Sequence, residues 1–380
     1  MRVVIVHNAV RDNSLPDEED VIKQAEMVGI SLTSLGHEVT LLPCDLNLNS
    51  LKLQLKERSP DMVFNLVESL DGDGRLIHVV PFLLDALAIP YSGASAEAIY
   101  HTSHKVMAKE RMRAAGLPTP DWINPFPPDL PWMGGASHIA IDPSTEQVCA
   151  KKPLNISSAP ATSAYRDSGA AVFTDPVRER ERIWIIKSLW EHASFGIDED
   201  NVVAGTRKMV ADLLKQRASQ LGGACFAELF IDGREFNISL LGNGKSVLVM
   251  PPAEIIFKNS ESNSPRIVGY KAKWVEDADE YQNTPRSFDF SEKDGELLKV
   301  LKKLSIRCWN LFNLRGYARV DFRVDHNQKP KILEINANPC ISPDAGFAAA
   351  LQRGGISYDE AIAHILNESC YAPIATDLTF

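Results

Sequence analysis

Apolar and polar residues follow two different rhythms along this chain. Val3 to Val6 form a short apolar run, and Val21, Ala25, Val28, Leu32 and Leu35 then recur at helical spacing up to Gly36, a helix-stop residue. The pattern predicts a strand followed by a helix. A strand at about 39–42, a helix around 51–56, a strand at 62–67 and a helix at 76–87 continue the alternation. Strands interleaved with helices imply a parallel sheet covered on both faces, so residues 1–94 are expected to form a doubly wound α/β domain.

A helical stretch from about Ser95 to Ala115 ends at Gly116, with Pro118 and Pro120 behind it. From 124 to 182 prolines, a Gly134–Gly135 pair and a run of small polar residues break the rhythm, which predicts a long surface insertion with at most a strand at 137–141. From Ala224 the period becomes two. Phe226 to Ile231, Glu235 to Leu241 and Val247 to Met250, separated by Asp232–Gly233 and Asn243–Gly244, read as an antiparallel meander. An amphipathic helix at 297–312 and a strand pair at 317–324 and 331–336 follow. The expected division is 1–94, then 95–223 carrying the insertion, then an α+β unit at 224–380.

Composition narrows the function classes. The 380 residues are 44% hydrophobic and 24% charged, which suits a globular protein of two or three domains and excludes a mainly disordered, collagenous or coiled-coil chain. Forty Lys plus Arg against fifty Asp plus Glu give a net charge of −10, so no general affinity for nucleic acid or anionic lipid is expected. No apolar stretch is long enough to span a bilayer and the first ten residues do not resemble a secretory leader, so a cytoplasmic location is expected. The six cysteines form no C-x-x-C pair and read as separate reduced thiols.

The segment RGYARVDFRVDHNQKPKILEINANP concentrates the chemistry. Arg319, Asp321 and Arg323 share one face of its first strand, and Val320, Phe322 and Val324 the other. If 325–330 is the loop, Val324 pairs with Lys331, and the same register sets Asp321 opposite Glu334 and Arg319 opposite Asn336. Two carboxylates facing each other repel unless a cation intervenes. Oxygens from Asp321, Glu334 and Asn336 suit a hard ion such as Mg²⁺, with Mn²⁺ as an alternative; a solvated charged hairpin face is the plainer reading.

Two further groups stand out. Glu228 lies near the end of an otherwise apolar strand, AELFI, and Glu235 follows; carboxylates there can accept hydrogen bonds from a sugar or a base, although each alone reads as a surface acid. Lys105, Lys187 and Lys273 come from SHKVMAKERM, IWIIK and GYKAKW, and three lysines converging from separate segments would suit a triphosphate.

Together, NLVES, YSGASAEAIYHTSHKVMAKERMRAAGLPTP, IIKSLWEHASFGI, AELFIDGREF, GYKAKW and RVDF…LEINANP resemble the ATP-grasp superfamily, in its D-alanine:D-alanine ligase-like branch. The resemblance implies ATP enclosed by two α+β subdomains behind the N-terminal α/β domain. It implies Lys105 and Lys187 at the phosphates, Glu228 with the Phe230 and Ile231 backbone at adenine, Glu235 on ribose and Lys273 at the γ-phosphate. It also implies Mg²⁺ on Asp321, Glu334 and Asn336, and Arg319 beside the transferring phosphoryl group. In this family a substrate carboxylate attacks the γ-phosphate, and an amine captures the acyl phosphate to form an amide. Homodimerisation is implied only by analogy.

The chain departs from the D-alanine pattern where substrates are chosen. Ala193 replaces a loop serine, with Ser194 beside it; Trp274 replaces a tyrosine; Ala345 and Gly346 stand near the serine and leucine that hold the second substrate's carboxylate. A different substrate pair is therefore expected. Glu19, His192 and Asp344 are the substrate candidates. The reading is an ADP-forming ligase joining a small-molecule carboxylate to an amine, which could be an amino acid, peptide or polyamine. A catalytically weak ATP-binding regulator is the alternative, and a biotin-carboxylase-like enzyme is a poorer fit to the first domain.

Overall fold

The computed structural model describes residues 1–10, 16–124, 180–191, 193–244, 246–258, 265–275 and 277–368. Strands β1 (Arg2–Asn8), β2 (Glu38–Cys44) and β3 (Met62–Asn65) form a parallel sheet in the order β2-β1-β3, connected by helices α1 (Pro16–Ser34) and α2 (Leu48–Arg58) and followed by α3 (Val79–Ala86). Alternation along β1 buries both faces. Val3 and Ile5 pack with Val28 and Leu32 of α1, whereas Val4 and Val6 pack with Leu51 and Leu55 of α2 and Leu84 of α3. The parallel, helix-covered sheet expected from the first 94 residues is present. The helix expected at 76–87 is a 3₁₀ turn at Gly74–Leu76 followed by α3.

The helical stretch after Ser95 is two helices, α4 (Ala96–Ser103) and α5 (Lys105–Ala114), because His104 adopts an extended backbone at ψ 98°. Ser95 Oγ accepts from Ala98 N to cap the first, and His104 Nδ1 accepts from Met107 N to cap the second. Strands β4 (Trp122–Ile123), β5 (Arg182–Ser188) and β6 (Val202–Gly205), helix α6 (Arg207–Arg217) and strand β7 (Cys225–Leu229) follow. The four strands make an antiparallel sheet in the order β4-β7-β5-β6. Most of the proposed insertion, 125–179, and its candidate strand at 137–141 lie outside the described residues.

Strands β8 (Gly233–Asn243), β9 (Ser246–Val249) and β10 (Ala253–Ile255), short helices α7 (Lys271–Trp274) and α8 (Asp279–Gln282), strand β11 (Arg286–Ser287), helix α9 (Gly295–Leu311), strands β12 (Tyr317–Asp325) and β13 (Pro330–Asn336), and helices α10 (Gly346–Arg353) and α11 (Tyr358–Glu368) complete the chain. The six-stranded sheet runs β11-β10-β8-β12-β13, with β9 on the far end of β8. Leu297, Leu301, Leu304 and Cys308 of α9 pack against its apolar face, where Val320, Phe322 and Val324 are fully buried. Helix α11 joins the core of the first domain, adding Ile362 and Ile365 beside α1.

The expected meander requires correction. The β7 strand does not form a hairpin with β8; it is the second strand of the four-stranded sheet, and the chain crosses between sheets at 230–232. Asp232–Gly233 resembles a hairpin turn, but Gly233 serves another purpose: a Cβ there would lie 2.0 Å from the Val324 carbonyl oxygen. Register is the second correction. Val324 pairs with Pro330, not Lys331, and a β-bulge between Phe322 and Asp321 absorbs Leu333, so that Asp321 still meets Glu334 and Arg319 meets Asn336.

Gly316 joins the first domain to the six-stranded sheet. Its φ is +67°, and a Cβ would approach Gly93 Cα to 2.7 Å. Gly316→Ala combines a left-handed backbone with a backbone clash, and is expected to cost about 1–3 kcal/mol, read as a lower midpoint in thermal or urea unfolding. An unchanged midpoint would show that this crossing yields freely.

Candidate functional site

A cleft lies between the two antiparallel sheets. Its walls come from β5 and β7 on one side and β8, β12 and β13 on the other, with α5, the 193–197 loop and α7 closing the ends. The alternation that buries Val320 and Phe322 places Asp321 and Glu334 on the cleft side. Asp321 is almost buried: Arg319 Nε and Nη2 donate to its two oxygens, each at 2.8 Å, and Asn237 Nδ2 donates to Oδ1 at 2.8 Å. Burial works against the Arg319 charge, but Asp321 holds its pKa above the ordinary value.

Glu334 is placed differently. Among the described residues its carboxylate makes no ion pair or hydrogen bond, yet it lies in the field of four cations. Burial pushes its pKa up; Lys105, Lys273, Lys187 and Arg319 outweigh that and set it at about 2. Burial lowers the pKa of Lys105 and, with Arg319 beside it, of Lys273. An ionised carboxylate surrounded by cations without contacting them leaves coordination room for a ligand.

Whether these oxygens suit a hard cation can be judged from what they already accept. Asp321 Oδ2 takes one hydrogen bond and keeps a lone pair, the Glu334 carboxylate is uncommitted, and Asn336 Oδ1 takes one bond from Asn338 N at 3.2 Å. Two acids and an amide fit a Mg²⁺ ion that draws the rest of its shell from phosphate and water. No group of three or more His, Cys, Asp or Glu suited to a metal occurs among the described residues, so no all-protein cage is formed.

Beside this pair is a buried ionic triad. Glu228 receives Lys109 Nζ at 2.5 Å and Lys187 Nζ at 2.6 Å; Glu228 and Lys109 are each 1% exposed. Burial raises the Glu228 pKa, and the two lysines more than reverse it, so the group stays ionised. Lys109 Nζ also donates to Thr119 Oγ1 at 2.9 Å and to the carbonyl of the bulge residue Leu333 at 3.3 Å. Sequence reasoning missed Lys109. Its signal was the spacing of four from Lys105, which puts both on one face of α5.

Lys105 Nζ donates to the Glu191 carbonyl oxygen at 2.5 Å. Glu235 is paired with Arg323 at 2.9 Å, and Phe230 N donates to the Ile183 carbonyl oxygen, leaving the Ile231 N–H without a partner among the described residues. All of these lysines and acids, with Phe230 and Ile231, line the cleft except Lys109. The following loop is strained: Ala193 and Ser194 have φ of 60° and 62°. It is held by Trp274 Nε1 donating to the Ala193 carbonyl at 3.2 Å and Ser194 Oγ donating to the Val268 carbonyl at 2.9 Å. The two sequence departures, Ala193 and Trp274, are therefore bonded partners.

A second cavity meets the first at Lys273, Asp321 and Glu334 and reaches the N-terminal domain. Arg319 and Asn336 line it, with Asp344, Arg286, Asp20 and Glu68. Glu19 does not; it is exposed, and its neighbour Asp20 faces the cavity, accepting from Cys340 Sγ and Ser342 Oγ, both at 3.0 Å. Asp344 is exposed in the cavity. His192 lies outside the described residues. Cys44, Cys225, Cys308 and Cys340 are free thiols; Cys149 and Cys370 lie outside the described residues.

Residues 183–367 match the family described as D-ala D-ala ligase C-terminus. The chain is 27% identical over 348 residues to uncharacterized protein y4sG of Sinorhizobium fredii, covering 90% of this chain and 86% of that one. It is 26% identical over 352 residues to the D-alanine–D-alanine ligase of Moorella thermoacetica, covering 92% and 94%. Among solved structures, D-alanine–D-alanine ligase from Bacillus anthracis complexed with ATP has a TM-score of 0.64 at 18% identity, covering 97% of each chain, a likeness of fold. No described helix is long and apolar enough to cross a membrane.

Two measurements probe the electrostatics. Lys109→Met should cost about 3–5 kcal/mol in chemical denaturation, because it leaves a buried carboxylate with one partner instead of two; a loss below about 1 kcal/mol would mean Lys187 alone suffices. Glu191 lines the cleft, and burial with nearby Asp73 raises its pKa to about 7. A folded carboxyl that binds its proton more tightly than the unfolded one makes stability fall as pH rises from about 4.5 to 7. Glu191→Gln should flatten that part of the stability–pH curve, and an unaltered slope would assign it elsewhere.

Proposed function

Starting from the premise that this chain is a D-alanine–D-alanine ligase-like protein of the ATP-grasp fold, we propose that it is an ADP-forming carboxylate–amine ligase acting on a pair other than two D-alanines. One observation carries the reading: two cavities meet at Lys273, Asp321 and Glu334, one between the antiparallel sheets and one extending to the N-terminal domain. Nucleotide in the first would bring its terminal phosphate to the junction, where a carboxylate in the second could reach it.

The residues suit this division. The unpartnered Ile231 N–H and Glu228 stand at the base end of the first cavity, Glu235 at the sugar, and Lys105, Lys187 and Lys273 along the phosphates. Asp321, Glu334 and Asn336 would hold Mg²⁺, which when bound offsets charge on the phosphate oxygens. A substrate carboxylate oxygen bonds to the γ-phosphorus as the bond to the bridging oxygen of ADP breaks. The deprotonated amine then attacks the acyl carbon and inorganic phosphate leaves. Arg319, fixed by its two bonds to Asp321, is aimed at the charge that develops between the cavities.

Ala193 and Ala345 present no hydroxyl where the ligases of this branch use serines, and this supports a changed substrate pair. Phosphate release with Mg-ATP across paired amino acids, peptides and polyamines, with mass detection of the amide, tests the assignment. Amine-dependent release is expected; uptake of Mg-ATP without it would favour a regulatory nucleotide binder. Arg319→Ala should lower kcat at least about 100-fold with the nucleotide KM changed less than about 3-fold. Full amide formation by that variant would remove Arg319 from the chemistry.

A further inference from the structure

The second cavity contains a cation that the reading above does not use. Arg286, in the two-residue strand β11 at the edge of the large sheet, lines the cavity together with Arg319, Asp344 and Gly346. Among the described residues its guanidinium makes one hydrogen bond, from Nη1 to the Asp344 carbonyl oxygen at 3.3 Å, and no ion pair. Arg319 differs, since its Nε and Nη2 both donate to Asp321. Arg286 therefore offers most of a five-donor planar fork to whatever enters.

Its position is made by the neighbouring sequence. A Cβ at residue 346 would fall 3.2 Å from Arg286 Nε and 3.6 Å from Cζ, so Gly346 leaves the space that the guanidinium fills. Gly346 begins α10, whose preceding residue Ala345 gives no side-chain cap and whose first turn holds no acid. Among the described residues no carboxylate pairs with Arg286, and Asp344, the acid beside it in the cavity, lies beyond ion-pair distance.

We propose that Arg286 is a specificity-determining residue: the amine that captures the acyl phosphate carries a carboxylate, and Arg286 binds it where hydroxyl groups are missing. This rests on the ligase reading. A guanidinium pairs with a carboxylate through two parallel hydrogen bonds, whereas a second ammonium group brought to the same place would be repelled. Polyamines are thereby disfavoured, and a free amino acid or the C-terminal end of a short peptide is favoured.

The test uses the whole protein with Mg-ATP and a free amino acid as donor. Acceptors are offered in matched sets: amino acids and dipeptides with a free carboxylate, their C-terminal amides, and diamines. An amide has no carboxylate to activate, so it reports on the acceptor position alone. Acceptors with a free carboxylate should exceed their amides by about 30-fold or more in kcat/KM. Arg286→Met should reduce that ratio to below about 3-fold through the acceptor KM, with the KM for Mg-ATP unchanged, and Arg286→Lys should recover part of it. Gly346→Ala, which improves helix propensity, should nevertheless raise the acceptor KM several-fold by displacing the guanidinium. Equal use of amides or diamines by the unaltered protein, or a ratio that survives Arg286→Met, overturns the assignment of Arg286 while leaving the ligase intact. Mg-ATP uptake with no phosphate release from any acceptor overturns the ligase reading and this role with it.

Discussion

The site depends on two carboxylates held across one β ladder. Asp321 and Glu334 would repel each other at this separation, and neither strand could hold them buried without compensation. Compensation comes in two forms. Asp321 is neutralised by contact, through the fork of Arg319, while Glu334 is stabilised at a distance by Lys105, Lys187, Lys273 and Arg319, which reach it from α5, β5, α7 and β12. Both antiparallel sheets must therefore be in place before the second acid is tolerated as an anion. The cleft is thus an electrostatic product of the whole assembly rather than of one hairpin.

How far the sequence reveals this differs by residue. Arg319, Asp321, Glu334 and Asn336 were legible because a period of two sorts side chains to faces, and an apolar face opposite them fixes which side is which. Lys105, Lys187 and Lys273 were legible as a set through their family resemblance. Lys109 was not, because its burial depends on Glu228 and Thr119, which arrive from elsewhere in the chain. Asp20 was passed over for Glu19 because four consecutive acidic residues at 17–20 leave the phase of the helix undetermined. Arg286 had no pattern around it to mark it.

The misread hairpin has a related cause. The β7 strand is largely apolar and β8 alternates polar with apolar residues, and an Asp-Gly pair between such runs usually makes a tight turn. Here β7 is enclosed by β4 and β5, and the polypeptide leaves one sheet to open the next. Local rules describe each strand correctly but contain nothing about which partners compete for its edges. In the 193–274 region, likewise, two substitutions that look like losses one at a time, Ala193 and Trp274, make a side-chain-to-backbone bond across the mouth of the cleft.

The bulge at Leu333 has an effect of its own. In a regular strand consecutive residues point to opposite sides, yet Leu333 and Glu334 both line the cleft between the antiparallel sheets. An oily surface and an ionised acid are thereby set one peptide unit apart, about 3.8 Å between Cα atoms. The spacing acts as a ruler built into the backbone, so the distance from the apolar wall of the cleft to its carboxylate is gauged by covalent geometry and is insensitive to the length of the nearby turn.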